Sequence, residues 1–124
     1  MDDSELRAFV RTWFGEVWGQ GRLDLLDTLV ADTYVRHSAS GNVVVGREQA
    51  KKDLAQYMRV LHRPDTVIDD QVVQGDRVWT RATSRGVNLE TGEPSVASWL
   101  IVQRLQDGRL VESWSATLYG VDWT

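Results

Sequence analysis

The apolar positions of this chain change their period along its length, and the period separates helical from strand-forming stretches. Leu6, Phe9, Val10, Trp13, Phe14 and Val17 recur at i, i+3, i+4, i+7, i+8 and i+11, which predicts one helix with a wide apolar stripe turned to a core. Ser4 is the expected N-cap, and Glu5 suits the positive end of the helix dipole. Gly19-Gln20-Gly21 breaks this helix, and Leu23, Leu25, Leu26, Leu29 and Val30 make a second, short one. Tyr34 to His37 reads as a short strand, Ser38 to Asn42 as a loop and Val43 to Val45 as another strand. After Gly46 helical spacing returns with Ala50, Leu54, Tyr57, Met58 and Leu61, a third helix that Pro64 is expected to end.

From Thr66 onward the pattern is that of strands: Thr66 to Gln74, a Gly75-Asp76 turn, Arg77 to Asn88, a turn at Glu90 to Pro94, then two runs joined by Gln106-Asp107-Gly108-Arg109. Asp-Gly between alternating runs predicts a tight hairpin, because both residues tolerate the positive φ it needs. Alternation sets Ala97, Trp99, Ile101 and Gln103 on one face of the first arm. In the second arm it groups Val111 with Ser113, Ser115 and Thr117, and Leu110 with Glu112, Trp114 and Ala116. The three runs from Arg77 to Leu118 are therefore expected as adjacent antiparallel strands of one curved sheet, with the first helix across its concave side. The order α-α-β-β-α-β-β-β-β implies one α+β domain over residues 1–124.

Composition narrows the chemistry. The 124 residues, 42% hydrophobic and 26% charged, suit a single core. A net charge of −4, with the 14 basic residues scattered, argues against nucleic acid or an anionic membrane as partner. The absence of cysteine removes disulfides, thiolate metal sites and a catalytic thiol, and two histidines far apart make a histidine metal site unexpected. Neither a metal nor a cofactor is expected. The acidic start Met1-Asp2-Asp3-Ser4-Glu5 is wrong for a signal peptide, so the cytoplasm is the expected location. Six tryptophans in so short a chain call for a large core, an interface or a flat ligand pocket.

His37 reads either as a general acid or base or as a histidine hydrogen-bonded inside a wall. His62 reads as a partner for a helix C-terminus. Trp13 and Trp99 are candidate walls for a flat ligand, with plain core packing as the other reading. Tyr57, Ile101, Ser113 and Ser115 complete the candidate substrate-binding set, with Thr117 a further hydroxyl on the same face. A serine nucleophile is not expected, since no Gly-x-Ser-x-Gly elbow exists and no triad order can be drawn with the two histidines. Trp79, Arg81, Thr83 and Arg85 share an outer strand face, and Trp114 also points outward, so a homodimer through the sheet is expected.

Several stretches, taken together and in order, resemble the SnoaL-like branch of the NTF2-like superfamily. They are Gly21-Arg22-Leu23-Asp24-Leu25-Leu26 running into Ala31-Asp32-Thr33-Tyr34-Val35-Arg36-His37; Gly46-Arg47-Glu48 with Arg63-Pro64-Asp65; Val72-Val73-Gln74-Gly75-Asp76-Arg77-Val78; and Asp107-Gly108-Arg109-Leu110-Val111-Glu112-Ser113-Trp114. The resemblance implies a cone: a curled mixed or antiparallel sheet, closed by about three helices around an apolar pocket. It also implies His37 as the residue that moves a proton. Asp122, in the tail after the last strand, is a reserve acid expected to fold over the cavity mouth. Trp13 falls near the family's oxyanion-binding tyrosine, and Ile101 near the place of a second acid. The function so implied is a cofactor-independent cyclase, isomerase or hydrolase acting on an apolar oxygenated small molecule such as a polyketide or terpenoid. A non-catalytic binding or dimeric scaffold domain is the alternative.

Overall fold

A computed structural model describes residues 1–124 of the protein. Helix α1 (Asp3–Thr12) runs without a break into a π-helical turn, Trp13–Trp18. A 3-10 turn (Leu23–Leu25) and the short α2 (Leu26–Leu29) lead into β1 (Val30–Ser38), β2 (Gly41–Gly46) and α3 (Arg47–Tyr57). Four long strands complete the chain: β3 (His62–Gln74), β4 (Arg77–Val87), β5 (Pro94–Gln106) and β6 (Arg109–Tyr119). All six strands form one sheet in the order β2-β1-β6-β5-β4-β3. Every neighbouring pair is antiparallel except β1 and β6, which run parallel. No helix is long and apolar enough to cross a membrane.

The expected stripe on the first helix is buried throughout, from Leu6 to Val17, and Trp18 is buried with it. It lies on the inner face of the sheet, where Phe14 and Trp18 meet Trp99 at ring-centroid distances of 5.5 and 5.1 Å. At the β5–β6 turn, Asp107 and Gly108 both have positive φ (53° and 77°), as a two-residue hairpin of this hand requires. The expected antiparallel strands are present and adjacent.

Several boundaries differ, each for a local reason. The helix cap is Asp2, whose carboxylate accepts from the Glu5 N–H at 2.9 Å, and Ser4 sits inside the helix donating to that carboxylate. Val30 belongs to β1 rather than to the second helix. Helix α3 ends at Tyr57, well before Pro64. Pro64 instead lies in β3, an edge strand, at a register irregularity where a missing N–H breaks no ladder bond. His62 accordingly begins a strand and serves no helix end. In β6 the register slips by one residue, Arg104 pairing with Glu112 and Leu105 with Leu110. Val111 is thus the extra residue of a β-bulge, which turns Leu110 inward to full burial and corrects the expectation that it shares the Trp114 face.

One glycine is demanded by close approach. A Cβ on Gly86 would lie 2.7 Å from the His62 carbonyl oxygen and 3.3 Å from the Pro64 Cα. Backbone would have to move to admit it. Gly86→Ala is expected to lower stability by about 1–3 kcal/mol, the usual range for overpacking. Thermal unfolding measures it, and an unchanged midpoint would show that the β3–β4 crossing relaxes freely.

Candidate active site

Two hollows flank the sheet. The larger, about 630 Å³, is a shallow depression on the outer face, open along one side. The smaller, about 290 Å³, is bounded by the sheet on one side and by helices on the other. Enclosure is what lets a pocket bury most of a ligand, so the inner cavity is the candidate site.

Strand alternation selects its sheet wall. Arg36 pairs with Ser113 and Ser113 with Gln103, giving one polar cross-strand row. Ile101 with Ser115 and Trp99 with Thr117 form the next two rows. The opposite wall is the π turn, in which the Gly19 N–H reaches back five residues to the Phe14 carbonyl. This wider winding keeps Trp13 and Trp18, five apart, on one side of the helix, and both line the cavity. Leu54 and Tyr57 enter from α3, and Tyr57 and Tyr119 stand half-exposed at the mouth. The six expected substrate-binding residues, Trp13, Tyr57, Trp99, Ile101, Ser113 and Ser115, all line this cavity.

The structure adds residues that the sequence reading did not single out. Arg36 donates from Nη2 to Asp53 at 2.8 Å and from Nη1 to the Tyr34 hydroxyl at 3.5 Å. Burial works against the Asp53 charge, but hydrogen bonds from Arg36 and Gln49 outweigh it and hold the carboxyl below its usual range. Burial pushes the Tyr34 and Tyr119 phenols upward, so both stay protonated at neutral pH. Among the 17 lining residues Arg36 is the one charged side chain, and there is no carboxylate or imidazole. Two buried groups are left without partners: the Trp18 indole N–H and both ends of the Gln103 amide. An orphaned polar group of this kind weakens a fold by about 1–3 kcal/mol.

His37 and Asp122 lie elsewhere. Tyr34 and Arg36 point inward, so His37, an odd number of residues from Tyr34, points outward, contrary to the expectation that it faces the cavity. Its ring stacks on Trp114 with centroids 5.1 Å apart. Nδ1 faces Asn42 Oδ1 at 2.5 Å and Nε2 faces Glu112 Oε2 at 2.8 Å. With a carboxylate at Nε2 and the Asn42 amide oxygen at Nδ1, the arrangement favours the protonated ring. Glu112 also receives Arg104 Nε at 3.1 Å. Asp122 bonds Arg85 at 2.6 Å while the Ser98 hydroxyl donates to the Val121 carbonyl, so the tail lies on the outer face and does not cover the mouth. Hydrogen bonds from Thr124 and Arg85 hold the Asp122 carboxyl down at about 2.

The Asn42 and Glu112 contacts raise the His37 pKa above 6.5, and the His37 contact in turn lowers that of Glu112 below 4.5. Stability from His37 is therefore fully present below about pH 6.5, its unfolded value, and is lost as pH rises through the folded value. That from Glu112 is present above its unfolded value and is lost as pH falls through the lowered one. A proton NMR titration should give a His37 midpoint above 6.5 that Glu112→Gln returns toward 6.5. A midpoint that ignores Glu112→Gln would mean that the pair does not form in solution.

The fold is shared with solved structures across nearly the whole chain. A protein of Acidithiobacillus ferrooxidans, provisionally described as a polyketide cyclase, superposes with a TM-score of 0.84 at 19% identity over 94% of this chain and 91% of its own. IdmH of Streptomyces antibioticus, given the same provisional description, does so at 0.74 and 25% identity over 94% and 92%. AclR of Streptomyces galilaeus, provisionally described as a hydroxylase, gives 0.78 at 18% identity over 94% and 91%. No protein of curated function matches the chain. The model of the SnoaL-like domain matches residues 10–113, a span that contains the π turn, the polar row and the Asp-Gly hairpin. By that match, and by a cone that encloses its cavity between helix and curled sheet, the chain belongs to the SnoaL-like domain family.

Proposed function

We propose that this domain takes an apolar, oxygen-bearing small molecule of polyketide or terpenoid type into the cone and promotes a ring closure that needs no proton carrier from the protein, by holding the molecule in its reactive shape. Arg36 and Tyr34 would donate hydrogen bonds to a ligand oxygen and polarise it. The observation behind this reading is the composition of the cavity: indole walls, a guanidinium and hydroxyl donors, with no lining group that titrates near neutrality. Holding two parts of one flexible molecule in contact removes most of the entropic barrier to their reaction. Donors fixed in a dry site stabilise partial charge building on a ligand oxygen more than water does. Because Arg36 donates to Tyr34, the tyrosine's own O–H proton is free to point at the ligand.

His37, on the far side of the sheet, takes no part in this proposal. Native mass spectrometry of the purified protein is expected to find a retained hydrophobic ligand. His37→Ala should leave its occupancy unchanged. Arg36→Met, made together with Asp53→Asn so that no lone carboxylate remains, should lower affinity about 10- to 100-fold, the worth of a hydrogen bond to a charged group. Loss of ligand with His37→Ala and retention without Arg36 would reverse the assignment. Release of the ligand chemically unchanged would favour the binding-only alternative.

We also propose that the outer face joins two copies of the chain. Trp79, Val102 and Trp114 form one cross-strand row there, β5 lying between the two tryptophan strands rather than those strands being neighbours. Arg81 pairs with Asp70, Arg104 with Glu112 and Arg85 with Asp122, while the Trp114 ring is stacked by His37 and lies under Arg77, so the part of the row open to a partner is Trp79 with Val102. Sedimentation at tens of micromolar, a range suited to typical contacts, should show a dimer. Trp79→Glu, at a side chain 37% exposed, should give a folded monomer. A wild-type monomer would remove the proposal.

A further inference from the structure

Gln103 lines the cavity but is fully buried, and both ends of its amide lack a partner and are closed to water. A ligand therefore reaches them by displacing the side chains that cover them. A glutamine amide offers an acceptor and two donors at adjacent positions, and the fold uses none of them. Ser113 stands beside it and Arg36 one strand further on, with Asp53 cancelling the Arg36 charge. The row is therefore polar but carries no net charge. An anion entering here would find no uncompensated cation, and burying its charge would be unfavourable. A ketone would satisfy the amide NH₂ and leave the amide oxygen orphaned. A neutral planar group with a donor beside an acceptor, such as a carboxamide or an enol next to a carbonyl, satisfies both ends at once.

We propose that Gln103 determines the specificity of the cavity by pairing its side-chain amide, through two hydrogen bonds, with a neutral ligand head group that carries a donor next to an acceptor. The inference rests on the small-molecule reading above and gives it a chemical class. The Trp18 N–H, the other orphan, stands on the helix wall near Trp99 and supplies a separate donor for a second ligand oxygen.

Three probes with one ring system separate the possibilities: 2-naphthamide has donor and acceptor, 2-acetylnaphthalene an acceptor alone, and 2-naphthoate a negative charge. Each is titrated by quenching of tryptophan fluorescence, since Trp13, Trp18 and Trp99 line the cavity. The wild type should bind the amide about tenfold more tightly than the ketone, the worth of one further satisfied hydrogen bond, and the naphthoate most weakly. Gln103→Leu should bind amide and ketone alike. Its unfolding midpoint without ligand should rise by about 3–8 °C, because an orphaned polar group has been replaced by a packed apolar one. Gln103→Met is the second variant, its unbranched chain fitting the same space.

An amide preference that survives both substitutions would overturn the proposal. So would a fall in midpoint for both variants, which would mean that the amide has a partner inside the fold. If all three probes bind the wild type equally, the Gln103 assignment fails and the small-molecule reading stands. If none binds, that reading fails and takes the assignment with it.

Discussion

Three aromatic rings meet at the centre of the cone, and the placing of the other elements follows from how they meet. Phe14 and Trp18 set their edges against Trp99, with interplanar angles of 67° and 66°. Edge-on packing favours the ring quadrupoles and holds the first helix off the sheet by the breadth of an indole. The Trp99 N–H donates to Ser84 on β4 at 2.8 Å, and the Ser84 hydroxyl meets Thr66 on β3 at 2.6 Å. The same ring thus packs the helix and ties β5, through β4, to the edge strand. Where the rings meet the interior is filled; toward β1 and β6 the helix has no such contact, and that is where the cavity remains.

The fold was legible because its signals were local. Asp107-Gly108 favours positive φ at both positions, and the stripe from Leu6 to Val17 has the period of a helix with one face turned to a core. What escaped the sequence reading depends on departures from regular period. The Val111 bulge moved Leu110 to the inner face, and no residue type announces a bulge. The π turn brought Trp18 into the cavity, although on an α-helical wheel it falls off the stripe. Arg36 was passed over because a charge in a strand ordinarily marks a solvated face; its partner Asp53 lies 17 residues away on α3. Gln103 did carry a signal, a polar residue amid Ala97, Trp99 and Ile101 on an apolar face.

Strand parity also divides the chemistry of the two faces. The outer face holds the titrating network, with His37 between Asn42 and Glu112, Arg104 behind Glu112, and Arg85 with Asp122. All of these groups are wet enough to exchange protons with solvent. On the inner face, Tyr34 and Tyr119 have phenols pushed upward and Arg36 is a permanent cation, so the cavity holds its protons fixed. Proton transfer would need a carrier that the inner wall lacks, whereas positioning and charge stabilisation need only what it has. A one-residue shift in the register of β1 would exchange the two sets. The β1–β2 hairpin, pairing Tyr34 with Val45 and His37 with Asn42, is what prevents it.

The energetics explain how the fold tolerates unsatisfied groups at its centre. A tryptophan side chain buries about 150–250 Å², which at roughly 25 cal/mol per Å² is an upper estimate of about 4–6 kcal/mol each. Trp13, Trp18 and Trp99 are all more than nine-tenths buried, so their packing outweighs the orphaned Gln103 amide and Trp18 N–H several times over. The surplus is held by the residues that form the walls, and the unpaired polar atoms are packed within those walls. Filling Gln103 with an apolar side chain would make a more stable cone with nothing in that row to distinguish one ligand head group from another. The unsatisfied amide is consistent with selection for recognition over stability at this position, since the same three indoles would support the fold with or without it.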